Sequence, residues 1–173
     1  ASDVYKRQVC SWASKKINRA IKWVAERSES FLTDIHGRDH VTHAELAVTN
    51  DGKFLGFKNE TIANLGAYAR VFGTVTPTYL FGPCATGVYE IPAAYSNVKA
   101  VFTNTAPVDA YRGAGRPEAT YTIERLVEKA SMELGIDKTE LRMKNFPTAF
   151  PFKQTLVHTC LLYTSPSPRD WLQ

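Results

Sequence analysis

The two ends of the chain can be encoded by the same short DNA sequence in opposite orientations, which confines the natural fold to the residues between them. Residues 3–8, Asp-Val-Tyr-Lys-Arg-Gln, can be encoded by GAT GTG TAT AAG AGA CAG. The reverse complement of that DNA, read one base out of frame, encodes Cys-Leu-Leu-Tyr-Thr-Ser, residues 160–165. This inverted repeat resembles the adapter of a transposon-based sequencing library. We therefore expect residues 1–8 and 160–173 to be adapter-derived, and residues 9–159 to form part of a domain.

The charge of the central segment argues against a nucleic-acid partner. The whole chain has 21 Lys and Arg side chains against 17 Asp and Glu, a formal net charge of +4. The terminal segments hold three basic and two acidic side chains, so the central segment carries a net charge of +3. No run of Lys or Arg concentrates this small excess into a basic patch.

Cysteine usage and hydropathy favour a cytoplasmic protein without a membrane span. With Cys160 in the C-terminal adapter-like segment, Cys10 and Cys84 remain, and their separation fits neither a zinc site nor an iron–sulfur cluster. Unpaired cysteines are typical of a reducing compartment. No apolar run approaches the length needed to cross a membrane.

The first half of the central segment contains a clear hairpin pattern. Residues 40–49 alternate between apolar and polar side chains, Asn-Asp-Gly follows at 50–52, and a second strand-like run covers residues 54–61. Upstream, we expect a short helix that ends at Ile17, a buried strand over residues 21–25 and a turn at residues 28–30.

The second half predicts one strand followed by two helices. Residues 97–103 have strand character, and apolar residues at helical spacing follow Pro117 until Gly135 ends the pattern. Asp137, with Glu140 three positions later, predicts the N-cap of a final helix that runs through Lys144. Hairpins followed by helices, without regular strand–helix alternation, indicate an α+β fold.

The strongest functional candidate is Ala-Tyr-Arg-Gly-Ala-Gly-Arg-Pro-Glu-Ala, residues 110–119. Two glycines separated by a small residue allow the backbone to approach a ligand closely. The helix expected at Pro117 presents free amides, and Arg112 and Arg116 supply planar donors for an oxyanion. One interpretation is therefore an anion or cofactor cradle. The other is a strand-to-helix turn whose arginines form ordinary ion pairs.

Four motifs follow one another along the chain. They are Arg-Ala-Ile-Lys-Trp at 19–23, His-Gly-Arg-Asp at 36–39, the segment 110–119 and Arg-Met-Lys-Asn-Phe at 142–146. In this order they resemble the molybdopterin-binding large subunit of the xanthine dehydrogenase, aldehyde oxidase and aerobic carbon monoxide dehydrogenase superfamily. The resemblance extends over residues 9–158 and implies that the chain is a fragment of the molybdenum-cofactor-binding domain.

The resemblance assigns a cofactor-binding loop to Tyr111, Arg112, Gly113, Ala114, Gly115 and Arg116. It implies that the first two residues lie beside the cofactor and that the small residues let the main chain pack against the metal's ligands. It also implies that Arg116 anchors the loop or binds an anionic group.

Two departures from the family bear on the substrate. The arginine with which xanthine dehydrogenases orient a purine corresponds to Leu80, and the expected substrate-pocket residues Tyr79, Leu80 and Phe81 carry no charge. Copper-containing carbon monoxide dehydrogenases have a cysteine at the position of Gly113, which offers no thiol. An aldehyde or an aromatic heterocycle is therefore the expected small-molecule substrate, oxidised with oxygen derived from water.

The family's other components lie outside this sequence. No segment matches the Gly-Glu motif that supplies the catalytic base, so we expect no catalytic residue here and no activity from the chain alone. The resemblance implies molybdopterin in its cytosine dinucleotide form, 2Fe-2S clusters on a small partner subunit and FAD on a medium one. It also implies a dimer of heterotrimers.

Two alternatives remain open. One is a carbon monoxide dehydrogenase-type large subunit. The other is a non-catalytic domain that binds an anion or a nucleic acid, for which steeply salt-dependent affinity for DNA or RNA would be the signature.

His36, Asp39, His40 and His43 have the composition of a metal site but not its geometry. On a strand, His40 and His43 are separated by an odd number of residues and would point to opposite faces. We therefore expect solvated strand residues there and no bound metal ion.

Overall fold

The computed structural model describes residues 3–149, which form two compact units over residues 3–36 and 37–149. The expected adapter-derived segment 160–173 lies outside the described residues. None of the helices in the described part of the chain is long and apolar enough to cross a membrane.

The first unit contains two helices, α1 (Asp3–Ile17) and α2 (Arg27–Thr33). Helix α1 ends at the predicted residue, and it begins within the segment that we expect to be adapter-derived, whose origin stays a prediction. Lys6 Nζ lies 3.4 Å from the Asp34 carboxylate and joins the start of α1 to the end of α2.

Two predictions for this unit were wrong. Residues 21–25 form no strand, and their side chains are largely exposed, with Val24 70% accessible. A strand needs a partner for its backbone hydrogen bonds, and the described part of this unit offers none. The turn expected at residues 28–30 lies inside α2 instead, where the Ser30 amide donates to the Glu26 carbonyl oxygen at 2.9 Å.

The second unit is built on a three-stranded sheet in the order β1 (His40–Val48), β2 (Phe54–Gly66) and β3 (Ala93–Phe102). Strands β1 and β2 are antiparallel and form the predicted hairpin. At its turn Gly52 has φ +87°, in the left-handed region that glycine adopts without steric cost. The predicted strand at 97–103 forms, starting four residues earlier, and β3 pairs with β2 in parallel.

A parallel pair requires a crossover connection, and this one was not predicted. Residues 67–92 leave the end of β2, pass through a π-helical turn at Thr76–Leu80 and a 3-10 turn at Gly82–Cys84, and return to the start of β3. Residues 76–84 therefore belong to this crossover and lie in the same unit as the hairpin.

Helices α3 (Arg116–Leu134) and α4 (Lys138–Asn145) follow the sheet, as predicted for an α+β fold. Helix α3 buries positions at helical spacing and ends at Gly135, which has φ +67°. The Asp137 carboxylate accepts hydrogen bonds from the Thr139 and Glu140 amides and caps α4, as its sequence predicts. The buried core comprises Phe54, Phe57, Ala85, Tyr89, Ile91, Ile123, Val127 and Leu141.

Asn145, at the end of α4, holds the hairpin turn to the helices. Its side chain is fully buried, and its Oδ1 accepts a hydrogen bond from the Phe54 amide at 2.8 Å. Its Nδ2 donates to the carbonyl oxygens of Gly52 and Leu141, each at 2.8 Å. These contacts give the motif at 142–146 a structural role.

Arg142 of the same motif joins α4 to α3. Its guanidinium binds the Glu124 carboxylate at 2.8 Å and the Glu128 carboxylate at 2.9 Å. Glu124 also accepts a 2.6 Å hydrogen bond from the Tyr89 hydroxyl, and burial together with this bond raises the pKa of Tyr89. The phenol therefore remains a protonated donor throughout the physiological pH range.

We predict that Asn145→Ala destabilises the hairpin turn. The change leaves the buried Phe54 amide without an acceptor, which costs about 2 kcal/mol and should accelerate its local exchange roughly 30-fold. Hydrogen–deuterium exchange of the peptide that contains Phe54 measures this directly. Asn50→Ala is the matched control, because Asn50 lies in the same turn but is exposed. Equal exchange in the two variants would contradict the assigned role.

Candidate functional site

The predicted loop at residues 111–116 leads directly into α3. The helix begins at Arg116, one residue before the predicted start, with Pro117 in its first turn and Gly115 as its N-cap. The Ala114 amide donates to the Tyr111 carbonyl oxygen at 2.8 Å, and the Arg116 amide donates to the Gly113 carbonyl oxygen at 3.2 Å. The loop is thus a tight double turn at the N-terminal end of a 19-residue helix.

Three consecutive residues of this turn have positive φ angles. They are Gly113 at +87°, Ala114 at +28° and Gly115 at +83°. A side chain in this region of backbone space clashes with its own main chain, so glycine is strongly preferred at the two extreme positions. The two glycines predicted to matter are therefore required by the local conformation.

Close contacts with protein add a second constraint on the same glycines. A Cβ atom on Gly115 would lie 2.6 Å from the Leu80 carbonyl carbon and 2.7 Å from the Thr76 carbonyl oxygen. A Cβ atom on Gly113 would lie 2.8 Å from Cγ of Pro117. The sequence suggested that small residues allow a ligand to approach, whereas here they allow the loop to pack on the π-helical turn and on its own helix.

The chain that enters the loop is fixed to the end of β2. The Val108 amide donates to the Leu65 carbonyl oxygen at 3.1 Å. A Cβ atom on Gly66 would overlap the Ala106 carbonyl oxygen, so the two backbones touch. The buried Asp109 accepts a 2.7 Å hydrogen bond from the Ala110 amide and stabilises the bend before Tyr111.

Asn64, near the end of β2, connects three segments at the same place. Its Nδ2 donates to the Asp39 carboxylate at 2.7 Å and to the Thr105 hydroxyl at 2.9 Å. Its Oδ1 accepts from the Gly66 amide and from the Thr103 hydroxyl, both at 2.7 Å. Sequence reasoning missed Asn64, since one asparagine in a strand carries no distinctive pattern.

The exposed side of the loop presents hydrogen-bond donors. Within residues 3–149, neither the Arg112 guanidinium nor the amides of Arg112 and Gly113 donate a hydrogen bond. Tyr111 is 66% exposed beside them. Arg116 Nη1 instead donates to the Ala114 carbonyl oxygen at 3.2 Å, so this arginine helps to close the turn. The available donors fit an anionic group with several oxygen acceptors, such as the oxo and phosphate groups of a molybdopterin cofactor.

The three residues expected to line a substrate pocket differ in exposure. Tyr79 is 61% exposed, and Leu80, half-buried, contacts Gly115 through its backbone. Phe81 is fully buried and packs with Cys84 and Ala119. The structure thus brings the Leu80 backbone against the candidate loop, while Phe81 lies in the core against Ala119 of α3.

Arg38 contacts the candidate loop at several points, although the sequence did not single it out as a site residue. Its Nη2 donates to the Arg112 carbonyl oxygen, and its guanidinium lies 5.2 Å from the centre of the Tyr111 ring. Its Nε is 3.6 Å from the Glu118 carboxylate. The motif at 36–39 contains Arg38, but it did not indicate which residues Arg38 contacts.

His40 lies beside the same glutamate and packs as a half-buried aromatic side chain. Burial lowers the pKa of His40, although the nearby Glu118 and Asp39 carboxylates act in the opposite direction. The neutral ring packs edge-on against Phe81 with 5.6 Å between ring centres. Along β1 His40 is half-buried and His43 is exposed, which agrees with the predicted opposite orientation.

Comparison with known proteins gives the family of the chain. Residues 2–146 match the family described as "Molybdopterin cofactor-binding domain". The chain is 43% identical to the carbon monoxide dehydrogenase large chain of Hydrogenophaga pseudoflava over 147 residues. It is 39% identical over 145 residues to the gamma subunit of the 6-hydroxypseudooxynicotine dehydrogenase complex of Paenarthrobacter nicotinovorans.

These matches cover 83% and 82% of the chain, respectively, but only 18% of each relative. Among solved structures, quinoline 2-oxidoreductase from Pseudomonas putida 86 superposes with a TM-score of 0.76 at 31% identity. That match covers 85% of this chain and 19% of the other. The order of motifs, the fold and the family match agree, and the chain belongs to the molybdopterin cofactor-binding domain family.

Proposed function

We propose that the chain is part of the large subunit of a molybdenum hydroxylase that oxidises an aldehyde or an aromatic heterocycle with oxygen from water. The observation that carries this proposal is the loop at residues 111–116, a tight turn whose exposed side offers amide and guanidinium donors that donate no hydrogen bond within residues 3–149. When bound, the molybdenum cofactor supplies the oxidising centre and activates the water-derived oxygen.

The residues of this chain hold and orient the cofactor rather than transfer protons. Arg112 and the Gly113 amide would donate hydrogen bonds to anionic oxygens of the cofactor, with the exposed Tyr111 ring beside them. Gly113, Ala114 and Gly115 give the turn its shape, and Arg116 closes it through the Ala114 carbonyl oxygen. The base glutamate belongs to a part of the enzyme outside this sequence.

An uncharged, organic substrate is favoured by the residues beside the loop. Tyr79 and Leu80 offer aromatic and aliphatic surface, and neither has the charge that orients a purine. The names of two similar proteins point the same way, since one oxidises quinoline and the other acts on a 6-hydroxypseudooxynicotine. Both names indicate nitrogen-containing ring compounds.

Carbon monoxide is the second candidate substrate, because the large chain from Hydrogenophaga pseudoflava shares 43% of aligned residues with this sequence. Gly113 provides no thiolate for copper, which disfavours the copper-dependent reaction. The two proposals separate in one experiment, in which the full-length enzyme is assayed with quinoline, a benzaldehyde and carbon monoxide. Carbon monoxide turnover together with bound copper would reject the hydroxylase proposal.

The accessory components follow from the proposed family role. The cofactor is proposed to be the cytosine dinucleotide form of molybdopterin, with 2Fe-2S clusters and FAD on two partner subunits. The assembly is proposed to be a cytoplasmic dimer of heterotrimers.

We predict that Arg112→Ala in the full-length enzyme lowers molybdenum content or turnover at least about tenfold, because a charge-assisted hydrogen bond to the cofactor is lost. Metal analysis and a steady-state assay measure the two quantities, and circular dichroism checks the fold. Arg125→Ala is the control, since Arg125 is an exposed arginine of α3 that makes no hydrogen bond or ion pair with the loop within residues 3–149. Full molybdenum content with an unchanged rate would contradict the proposed role of the loop.

We predict that Gly115→Ala damages the site more than Gly135→Ala. Both glycines have positive φ angles, so alanine costs about 1 kcal/mol in backbone strain at either position. Only at Gly115 does the added Cβ atom also meet the backbone of Thr76 and Leu80, while at Gly135 nothing lies within 4 Å. Molybdenum content should therefore fall in Gly115→Ala but not in Gly135→Ala. An equal fall in both variants would show that the contact of Gly115 with Thr76 and Leu80 does not matter for the site.

A further inference from the structure

Residues 37–39, which precede β1, contact the candidate loop at several points, and we call this segment the clamp. Gly37 lies so close to Tyr111 that a Cβ atom on it would be 2.7 Å from the tyrosine Cβ. Arg38 adopts φ +59°, a left-handed conformation that is unfavourable for a residue with a side chain. The next residue, Asp39, is held to β2 by two hydrogen bonds with Asn64, at 2.7 and 2.9 Å. The base of the clamp is thus fixed to the sheet.

Arg38 contacts both ends of the turn. Its Nη2 donates to the Arg112 carbonyl oxygen before the glycines, and its Nε is 3.6 Å from the Glu118 carboxylate after them. The Glu118 side chain is only 9% exposed, and its Oε2 has no hydrogen-bond partner within residues 3–149. A buried carboxylate requires a nearby cation, which Arg38 provides.

The bond to the Arg112 carbonyl oxygen also fixes a peptide plane. In a trans peptide the C=O of one residue and the N–H of the next point in opposite directions. Because the Arg112 carbonyl oxygen faces Arg38, the Gly113 N–H faces away from Arg38. This amide donates no hydrogen bond within the described residues. Arg38 therefore sets the direction of a donor that the proposed function assigns to the cofactor.

We propose that Arg38 is a positioning residue that holds the Arg112–Gly113 peptide plane, so that the Gly113 amide is presented to the molybdenum cofactor. The inference rests on the proposed function of the loop. Arg38 itself acts through Arg112, Tyr111 and Glu118 and makes no contact with the cofactor.

The first experiment tests the clamp in the full-length protein prepared without cofactor, from cells grown without molybdate. Trypsin cleaves after Arg112 but not before Pro117, so the cleavage rate after Arg112 reports opening of the turn. Arg38→Ala should raise this rate about tenfold, because a charge-assisted hydrogen bond that closes the turn is lost. Arg125→Ala is the control and should leave the rate unchanged. An unchanged rate in Arg38→Ala would overturn the inference.

The second experiment uses the holoenzyme and reads the metal site. In Arg38→Ala we expect an altered Mo(V) electron paramagnetic resonance signal and a kcat about tenfold lower, with little change in KM, since the substrate pocket is kept. A merely structural role would lower the amount of folded enzyme and leave the signal and kcat per molybdenum unchanged, and that result would overturn the proposal.

Arg38→Lys tests the clamp if the alanine variant fails to fold. Lysine keeps the charge beside Glu118 but lacks the planar group that binds Arg112 and stacks on Tyr111 at the same time. We expect a folded enzyme with faster cleavage after Arg112 and an altered signal, and behaviour like the wild type would overturn the proposal. If Arg112→Ala is harmless, the proposed function fails. If Arg112→Ala lowers molybdenum content or turnover and both Arg38 variants behave like the wild type, only the positioning role of Arg38 is rejected.

Discussion

The candidate site depends on one close backbone contact, between Gly115 and the carbonyl groups of Thr76 and Leu80. The contact exists because the crossover between β2 and β3 brings the π-helical turn beside the start of α3. Only a residue without a Cβ atom fits there, and only such a residue adopts the required φ angle without strain. The conformation of the candidate loop and the position of Leu80 are thereby coupled, since each is packed against the other.

Local sequence patterns predicted the elements whose stability is local. The Asn-Asp-Gly turn, the strand alternation before it and the capping residue Asp137 each act through near neighbours in the chain, and all three appear as expected. The apolar run at 21–25 was misread as a strand, because hydropathy alone does not show whether a neighbouring strand exists to pair with it. The parallel β2–β3 pairing was missed for a related reason, since its hydrogen bonds join residues separated by the whole crossover.

The site was predicted in part, for similar physical reasons. Glycine spacing and the motif order located residues 111–116, whose conformation is a local property. Arg38 and Asn64 act through contacts with distant residues, so no spacing rule identifies them. The glycines were expected to face a ligand, whereas protein atoms occupy the space that their Cβ atoms would need. The donors left for a ligand are the Arg112 guanidinium and the amides of Arg112 and Gly113. A pattern of residue types does not show which donors of a loop are already hydrogen-bonded within the protein.

The position of β3 has a consequence for handling this polypeptide. Among residues 3–149 it is an outer strand of the sheet, and Tyr95, Val101 and Phe102 expose more than a third of their surface. An open strand edge with apolar side chains is a template for strand addition by another copy. Purified by itself at high concentration, the polypeptide is expected to self-associate through this edge, so a solubilising fusion partner or added subunits should be used when it is produced.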